Sequence, residues 1–192
     1  MPEDASKPVT WDDTRAWIGR NLAVGREGVD AVERGTIRRR LEVLELDCPL
    51  HHDDKVAKEM GYGGVIAPYT MIGTYSAGAL WEPGDPTRWP TNDPNQTARP
   101  LVQQDEIPQP GTHGFATDGE TEFIRPLYVG DRIHVKERKL ISVVERTTSV
   151  GEGAFLTWET RFYNQRDELV AIGRNTRYVY NPHKREDKGG GE

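Results

Sequence analysis

From Gly114 onward the chain has room for little except strands. Phe155, Thr157, Glu159 and Arg161 alternate with Leu156, Trp158, Thr160 and Phe162, the period of two that sends successive side chains to opposite faces of a sheet. Similar patterns cover residues 114–124, 131–145, 153–165 and 168–180. The short connections around Gly151-Glu152-Gly153 and Gln165-Arg166-Asp167-Glu168 favour antiparallel hairpins. Before Gly114 the signals are helical. Thr10 is placed to cap a first helix, with Asp12 and Asp13 in its first turn. Val32, Ile37, Leu41 and Leu44 recur near a 3.6-residue period, which predicts a helix over residues 30–46 with one buried face. Asp53 and Asp54 open a short helix from Lys55 to Met60, and Gly61-Tyr62-Gly63-Gly64 breaks it. Helices followed by a run of antiparallel strands define an α+β chain.

The stretch from Pro68 to Trp81 contains no charged residue. Pro68 suits a first helical turn, so the pattern predicts a long central helix over residues 68–81, buried on most sides, with the antiparallel sheet wrapped around it. Gly73, Ala77 and Gly78 form a strip of small residues that would let another backbone approach. Residues 82–112 then hold seven prolines, at positions 83, 86, 90, 94, 100, 108 and 110. A connection this long is expected to be a lid, a binding loop or disordered, with Trp81, Trp89 and Leu101 packing part of it. Residues 1–9 read as a flexible polar tail and residues 183–192 as a disordered one, which leaves residues 10–182 as one domain with 82–112 as a long loop insertion.

Composition removes several classes of function. The net charge is −6 and no basic stripe offsets it, which excludes a nucleic-acid partner. Arg38-Arg39-Arg40 lies within a helical pattern, where Arg38 and Glu42 are spaced to pair on one face. Cys48 is the one cysteine, so no internal disulfide framework is possible. No apolar run reaches the roughly 20 residues that span a bilayer, and the N-terminus lacks a signal-peptide core. A cytoplasmic protein without a membrane segment is expected. No Walker loop, dinucleotide fingerprint, zinc spacing or G-x-S-x-G elbow is present, and neither a metal nor a cofactor is expected.

The chemistry concentrates in two neighbouring stretches. Leu46-Asp47-Cys48-Pro49-Leu50-His51-His52-Asp53-Asp54 places an acid beside two imidazoles, and Gly61-Tyr62-Gly63-Gly64-Val65-Ile66-Ala67-Pro68-Tyr69 follows with a Gly-rich turn. A carboxylate beside a histidine can activate water, and backbone N–H groups at such a turn can stabilise an oxyanion. Asp47, His51 and His52 are the candidate catalytic residues. Gly63, Gly64, Ala67 and Tyr69 are candidates for substrate binding. Arg125 is a candidate for a phosphate contact or a surface ion pair. His113 and His134 read as ordinary surface or strand histidines, Asp131 as a hairpin-turn residue, and Cys48 carries no mark of an activated nucleophile.

The order Pro49-Leu50-His51-x-Asp53, then Gly61-Tyr62-Gly63-Gly64-Val65-Ile66-Ala67-Pro68, then Phe123-Ile124-Arg125-Pro126-Leu127-Tyr128-Val129-Gly130-Asp131 resembles the MaoC-like hot-dog dehydratases. It is most similar to the N-terminal-type half found in mycobacterial (3R)-hydroxyacyl-thioester dehydratase heterodimers. The resemblance implies a hot-dog fold and acyl-CoA or acyl-carrier-protein thioesters as ligands. It also implies a homodimer, or a heterodimer with another MaoC-like subunit. The implied reaction is reversible, (R)-specific hydration of the C2–C3 double bond. Two alternatives stay open: a non-catalytic subunit that completes the acyl channel of a catalytic partner, and a hot-dog thioesterase. Active members carry D-x-N-P-L-H ahead of the Gly-rich turn. Aligned through Pro49-Leu50-His51, the acid position falls on Leu46 and Cys48 stands for the asparagine. Counted by acid-to-histidine spacing, Asp47 pairs with His52 instead. At the start of the central helix, where active members have a His-Gly pair, this chain has Pro68-Tyr69. Pro68 offers no N–H to an oxyanion, whereas the Tyr69 N–H does.

Overall fold

The computed structural model describes residues 8–22, 26–79, 81–87 and 107–183. Strands β1 (Arg26–Glu27), β2 (His113–Phe123), β3 (His134–Thr148), β4 (Gly151–Tyr163) and β5 (Leu169–Pro182) form one antiparallel sheet in the order β1-β3-β4-β5-β2. The four long strands fall where the period of two places them. The connection between β3 and β4 is tighter than expected, because Gly151 and Gly153 belong to β4 itself. A β-carbon on either glycine would meet the β5 backbone at Asn181 or Val179. The β4–β5 turn closes through Asn164 and Glu168, and Asp167 adopts a left-handed conformation at φ 61°.

The helices are shorter than their patterns. Helix α1 (Trp11–Arg15) starts with a reciprocal cap, in which Thr10 accepts from the Asp13 N–H and Asp13 accepts from the Thr10 N–H. Helix α2 (Arg34–Leu44) begins four residues later than the pattern predicts. The reason is that Val32 pairs with a turn in strand-like fashion: its N–H donates to the Asp131 carbonyl and its own carbonyl accepts from Gly130. Ile37 faces the core, Leu41 packs against it, and Leu44 is exposed, so the buried face ends one turn early. Arg38 and Glu42 form the expected pair. Helix α3 (Asp54–Glu59) is capped by Asp53, whose carboxylate accepts from the Lys55 and Val56 N–H groups.

The central element departs furthest from expectation. A 3-10 turn at Tyr69–Met71 leads into α4 (Ile72–Tyr75), and the helix stops there rather than at Trp81. Past Tyr75 the chain has other obligations: the Ala77 carbonyl accepts from the Val29 N–H, and the Tyr75 carbonyl is pressed against Gly28. The close approach therefore occurs at Gly28. Gly73 and Gly78, expected to permit it, have open space around them. Trp81 is exposed. Residues 88–106 of the proline-rich segment, including Trp89 and Leu101, lie outside the described residues, as do most of the two tails.

The inner face of the sheet carries two separate hydrophobic clusters. In one, Met71, Ile72 and Tyr75 pack with Val32, Ile37, Val170 and Ala171. In the other, Leu140, Leu156, Trp158 and Val179 pack with Trp11, Trp17 and Leu22. Strand alternation keeps Asn175 and Arg177 on this inner face between the clusters, and both are exposed. The outer face carries a cross-strand ion-pair row in which Arg174 bridges Glu159 and Glu120.

Candidate functional site

The Pro49–His51 turn fixes one imidazole by backbone chemistry. His51 Nδ1 lies 2.8 Å from the Ile66 carbonyl oxygen. A carbonyl only accepts, so the neutral ring carries its proton on Nδ1 and leaves Nε2 as an acceptor. Ile66 in turn donates its N–H to the Leu50 carbonyl and pairs across an isolated β-bridge with Tyr128. The turn is thus tied twice to the segment that follows the glycines.

Asp47 and His52 sit elsewhere. The Asp47 side chain is 96% exposed, and its Oδ1 lies 3.6 Å from Nε2 of His52, whose ring is 50% exposed. Such a solvated pair contributes little. The structure brings Asp47 toward His52 and brings neither to His51. Leu46, which falls on the acid position when the chain is aligned through Pro49-Leu50-His51, is exposed and carries no ionisable group.

The Gly-rich turn is held from below by a carboxylate. Asp54 Oδ1 accepts from the Val65 N–H at 3.0 Å, while its Oδ2 receives Arg34. These contacts, the backbone one first, hold the Asp54 carboxyl below the usual carboxylate range. A β-carbon on Gly64 would come within 3.2 Å of the same carboxylate, which would have to shift slightly to make room. Gly63 donates its N–H to the Tyr128 hydroxyl at 3.2 Å. Ala67 is fully buried and its N–H donates to the Leu127 carbonyl at 2.8 Å, so that N–H is committed to the fold. The Tyr69 ring lies 4.6 Å from Phe123. Burial, with the Tyr62 and Tyr128 phenols nearby, raises the Tyr69 phenol above its ordinary value and keeps it a proton donor. Arg125 faces Glu168 at 3.9 Å on the surface. Asp131 braces its turn, accepting from the Tyr128 N–H and from Gln165. His134, largely buried, faces Asp167 at 3.3 Å.

Sequence reasoning missed the Ile66 carbonyl, Arg34, Asp54 and Tyr128 as parts of this site. Tyr128 lies within a motif already quoted and could have been singled out there. A backbone carbonyl leaves no mark in a sequence, and the Arg34–Asp54 pair spans two helices.

A sheet packed on a short helix, with a Pro-Leu-His turn tied to a Gly-rich turn, is the arrangement expected of a MaoC-like hot-dog protein, and comparison with known proteins agrees. The family model described as "FAS1-like, dehydratase domain region" matches residues 16–172, and the chain belongs to this family. A probable enoyl-CoA hydratase alpha subunit of Thermomonospora curvata is 31% identical over 174 residues, covering 90% of this chain and 52% of the relative. The chain thus spans about half the length of the curated relative it matches. Among solved structures, the ChsH1-ChsH2 complex of Mycobacterium tuberculosis contains a chain similar at a TM-score of 0.66 and 20% identity, over 91% of this chain and 98% of that one. A MaoC-like dehydratase of Rhodospirillum rubrum is similar at a TM-score of 0.52 and 19% identity, over 86% and 99% respectively. These two likenesses show the fold, and the expected hot-dog architecture is borne out.

Proposed function

We propose that the chain is a hot-dog subunit of an enoyl-thioester hydratase that completes the site of a MaoC-like partner, with the partner supplying the acid–base pair. The observation that carries this reading is the loss of the carboxylate. Alignment through Pro49-Leu50-His51 gives Leu46 the acid position and the Asp47 carboxylate is exposed to solvent beside His52, so among the described residues no carboxylate is paired with His51. The alpha-subunit description of the Thermomonospora relative and the two-component mycobacterial complex support an assembly of unlike hot dogs. In the reaction a base takes a proton from water as the oxygen bonds to C3. The electron pair of the double bond moves onto the thioester carbonyl as an enolate, and an acid then protonates C2.

The test follows the loss of enoyl-thioester absorbance with the chain alone, with a MaoC-like partner that carries Asp-x-Asn-Pro-Leu-His, and with that partner alone. Hydration is expected from the mixture, none from the chain alone, and no release of free thiol, which separates hydration from thioester hydrolysis. Hydration by the chain alone at the rate of the mixture would refute the proposal. One observation favours a second reading in which this chain is catalytic: His51 is locked in a single tautomer with Nε2 available. In that case His51→Ala should lower turnover of the active assembly by about 100-fold or more.

A further inference from the structure

A groove of about 500 Å³ opens beneath the Gly63–Gly64 turn, walled by Arg34, Tyr128, Gln165 and Arg166. Neither the imidazoles nor Asp47 lines it. Each oxygen of its two carboxylates already receives one N–H. Asp54 receives the Val65 N–H on one oxygen and Arg34 on the other. Asp131, which is buried, receives the Tyr128 N–H at 2.9 Å and the Gln165 side-chain amide at 3.1 Å.

The donors are not spent. A guanidinium has five N–H groups. Arg34 directs one nitrogen at Asp54, and Arg166 gives Nε and one terminal nitrogen to Glu168 at 2.9 Å each. Both side chains remain more than half exposed, at 51% and 59%. The Tyr128 hydroxyl accepts from Gly63 and so keeps its own proton to give. Lys58, close enough to Asp54 to lower its pKa, adds a further positive charge. The unused N–H and O–H donors of Arg34, Arg166 and Tyr128 suit an anion, and guanidinium N–H groups match phosphate oxygens. The volume suits an organic ligand rather than a bare ion. Val65 lines the groove, and the next residue, Ile66, anchors His51, so the groove adjoins the segment that carries the imidazole.

We propose that this groove grips the phosphate end of the thioester's carrier, with Arg34, Arg166 and the Tyr128 hydroxyl as donors, an assignment that rests on the acyl-thioester function proposed above. Two sources share that chemistry: the nucleotide of CoA and the phosphopantetheine arm of a carrier protein.

The test is titration calorimetry of the full chain with adenosine 3′,5′-bisphosphate, pantetheine 4′-phosphate and inorganic phosphate. At least one of the two organic phosphates should bind, more weakly at high salt. Arg34→Gln with Arg166→Gln should weaken it about 10-fold or more, as expected for loss of hydrogen bonds to a charged group. Tyr128→Phe, which keeps the ring, serves as a second probe and should weaken binding in the same direction. Preference for the bisphosphate assigns CoA; preference for pantetheine phosphate assigns a carrier protein. No binding of either organic phosphate, or binding unchanged in folded variants, would overturn the proposal. Hydration by the assembly with KM unchanged in the double variant would remove the groove and leave the hydratase reading intact. Arginine-dependent phosphate binding by a chain whose assembly hydrates nothing would do the reverse.

Discussion

The carbonyl of Tyr75 occupies the space that a β-carbon on Gly28 would fill. Two segments far apart in sequence touch there at backbone distance, and the contact marks the end of the central helix. Gly28→Ala should therefore destabilise the protein by about 3 kcal/mol, the upper range for forced overpacking. Gly73→Ala, two residues before Tyr75 and with open space around it, should stabilise by about 0.5–1 kcal/mol through helix propensity. Urea unfolding of the two variants checks the opposite signs. Equal effects would mean that the Gly28 contact does not hold the helix end.

The two histidines should part company. His51→Ala leaves the carbonyl of buried Ile66 without its donor and should cost about 1–3 kcal/mol. His52→Ala removes only a solvated contact and should stay within about 0.5 kcal/mol. Thermal melts measure both. In the active assembly neither substitution should reduce turnover as loss of a general base would, if the partner carries the acid–base pair.

Asp54 gives the stability a dependence on acid. Its folded-state pKa is depressed, chiefly by the Val65 N–H and further by Arg34. A depressed carboxylate contributes stability that is present above its unfolded value of about 4 and is lost as pH falls through the folded value. Asp54→Asn should flatten the stability profile below about pH 4 relative to the parent, measured by denaturant titration across the acid range. An unchanged slope would remove Asp54 as a pin of the Gly-rich turn.

Tyr178 should be costly to trim. Its side chain is 1% exposed, and its hydroxyl donates between the Arg146 and Gly151 carbonyls, each at 2.8 Å. Tyr178→Phe leaves two carbonyls short of that donor and should cost about 1–2 kcal/mol. Chemical denaturation would show it, and a smaller loss would mean that water replaces the hydroxyl.

What the sequence revealed and what it concealed divide along one physical line. Strands β2 to β5 were legible because alternation is local: Phe155 through Phe162 announce both faces of β4 without help from the rest of the chain. Helix ends were not legible, because they depend on distant partners. Val32 looks helical by period but is drawn into pairing with Gly130 and Asp131. The uncharged run after Pro68 looks helical to Trp81, yet stops where Gly28 and Val29 cross it. The site shows the same division. Pro49-Leu50-His51 and the glycines were readable as residue types in order. Which histidine is held was decided by a backbone carbonyl, and a carbonyl is the same in every residue. The acid was readable in two ways, as Leu46 by alignment through Pro49-Leu50-His51 or as Asp47 by its spacing to His52, and the structure sets Asp47 toward His52.

The two hydrophobic clusters on the inner face have a dynamic consequence. β4 and β5 run through both, as rails under two carriages, and the exposed Asn175 and Arg177 lie between. Along β5, burial, and with it resistance to local opening, is then concentrated toward the two ends and weakest around Asn175 and Arg177, whereas β4 stays buried through Leu156 and Trp158 at its middle. Amide hydrogen exchange should show two slow zones on β5, around Val179 at one end and around Ala171 at the other, separated by a faster stretch at Asn175 and Arg177, and one continuous slow zone through the middle of β4. A chain built this way can loosen the end packed on Trp11 and Trp17 while the end beside the Gly-rich turn stays folded.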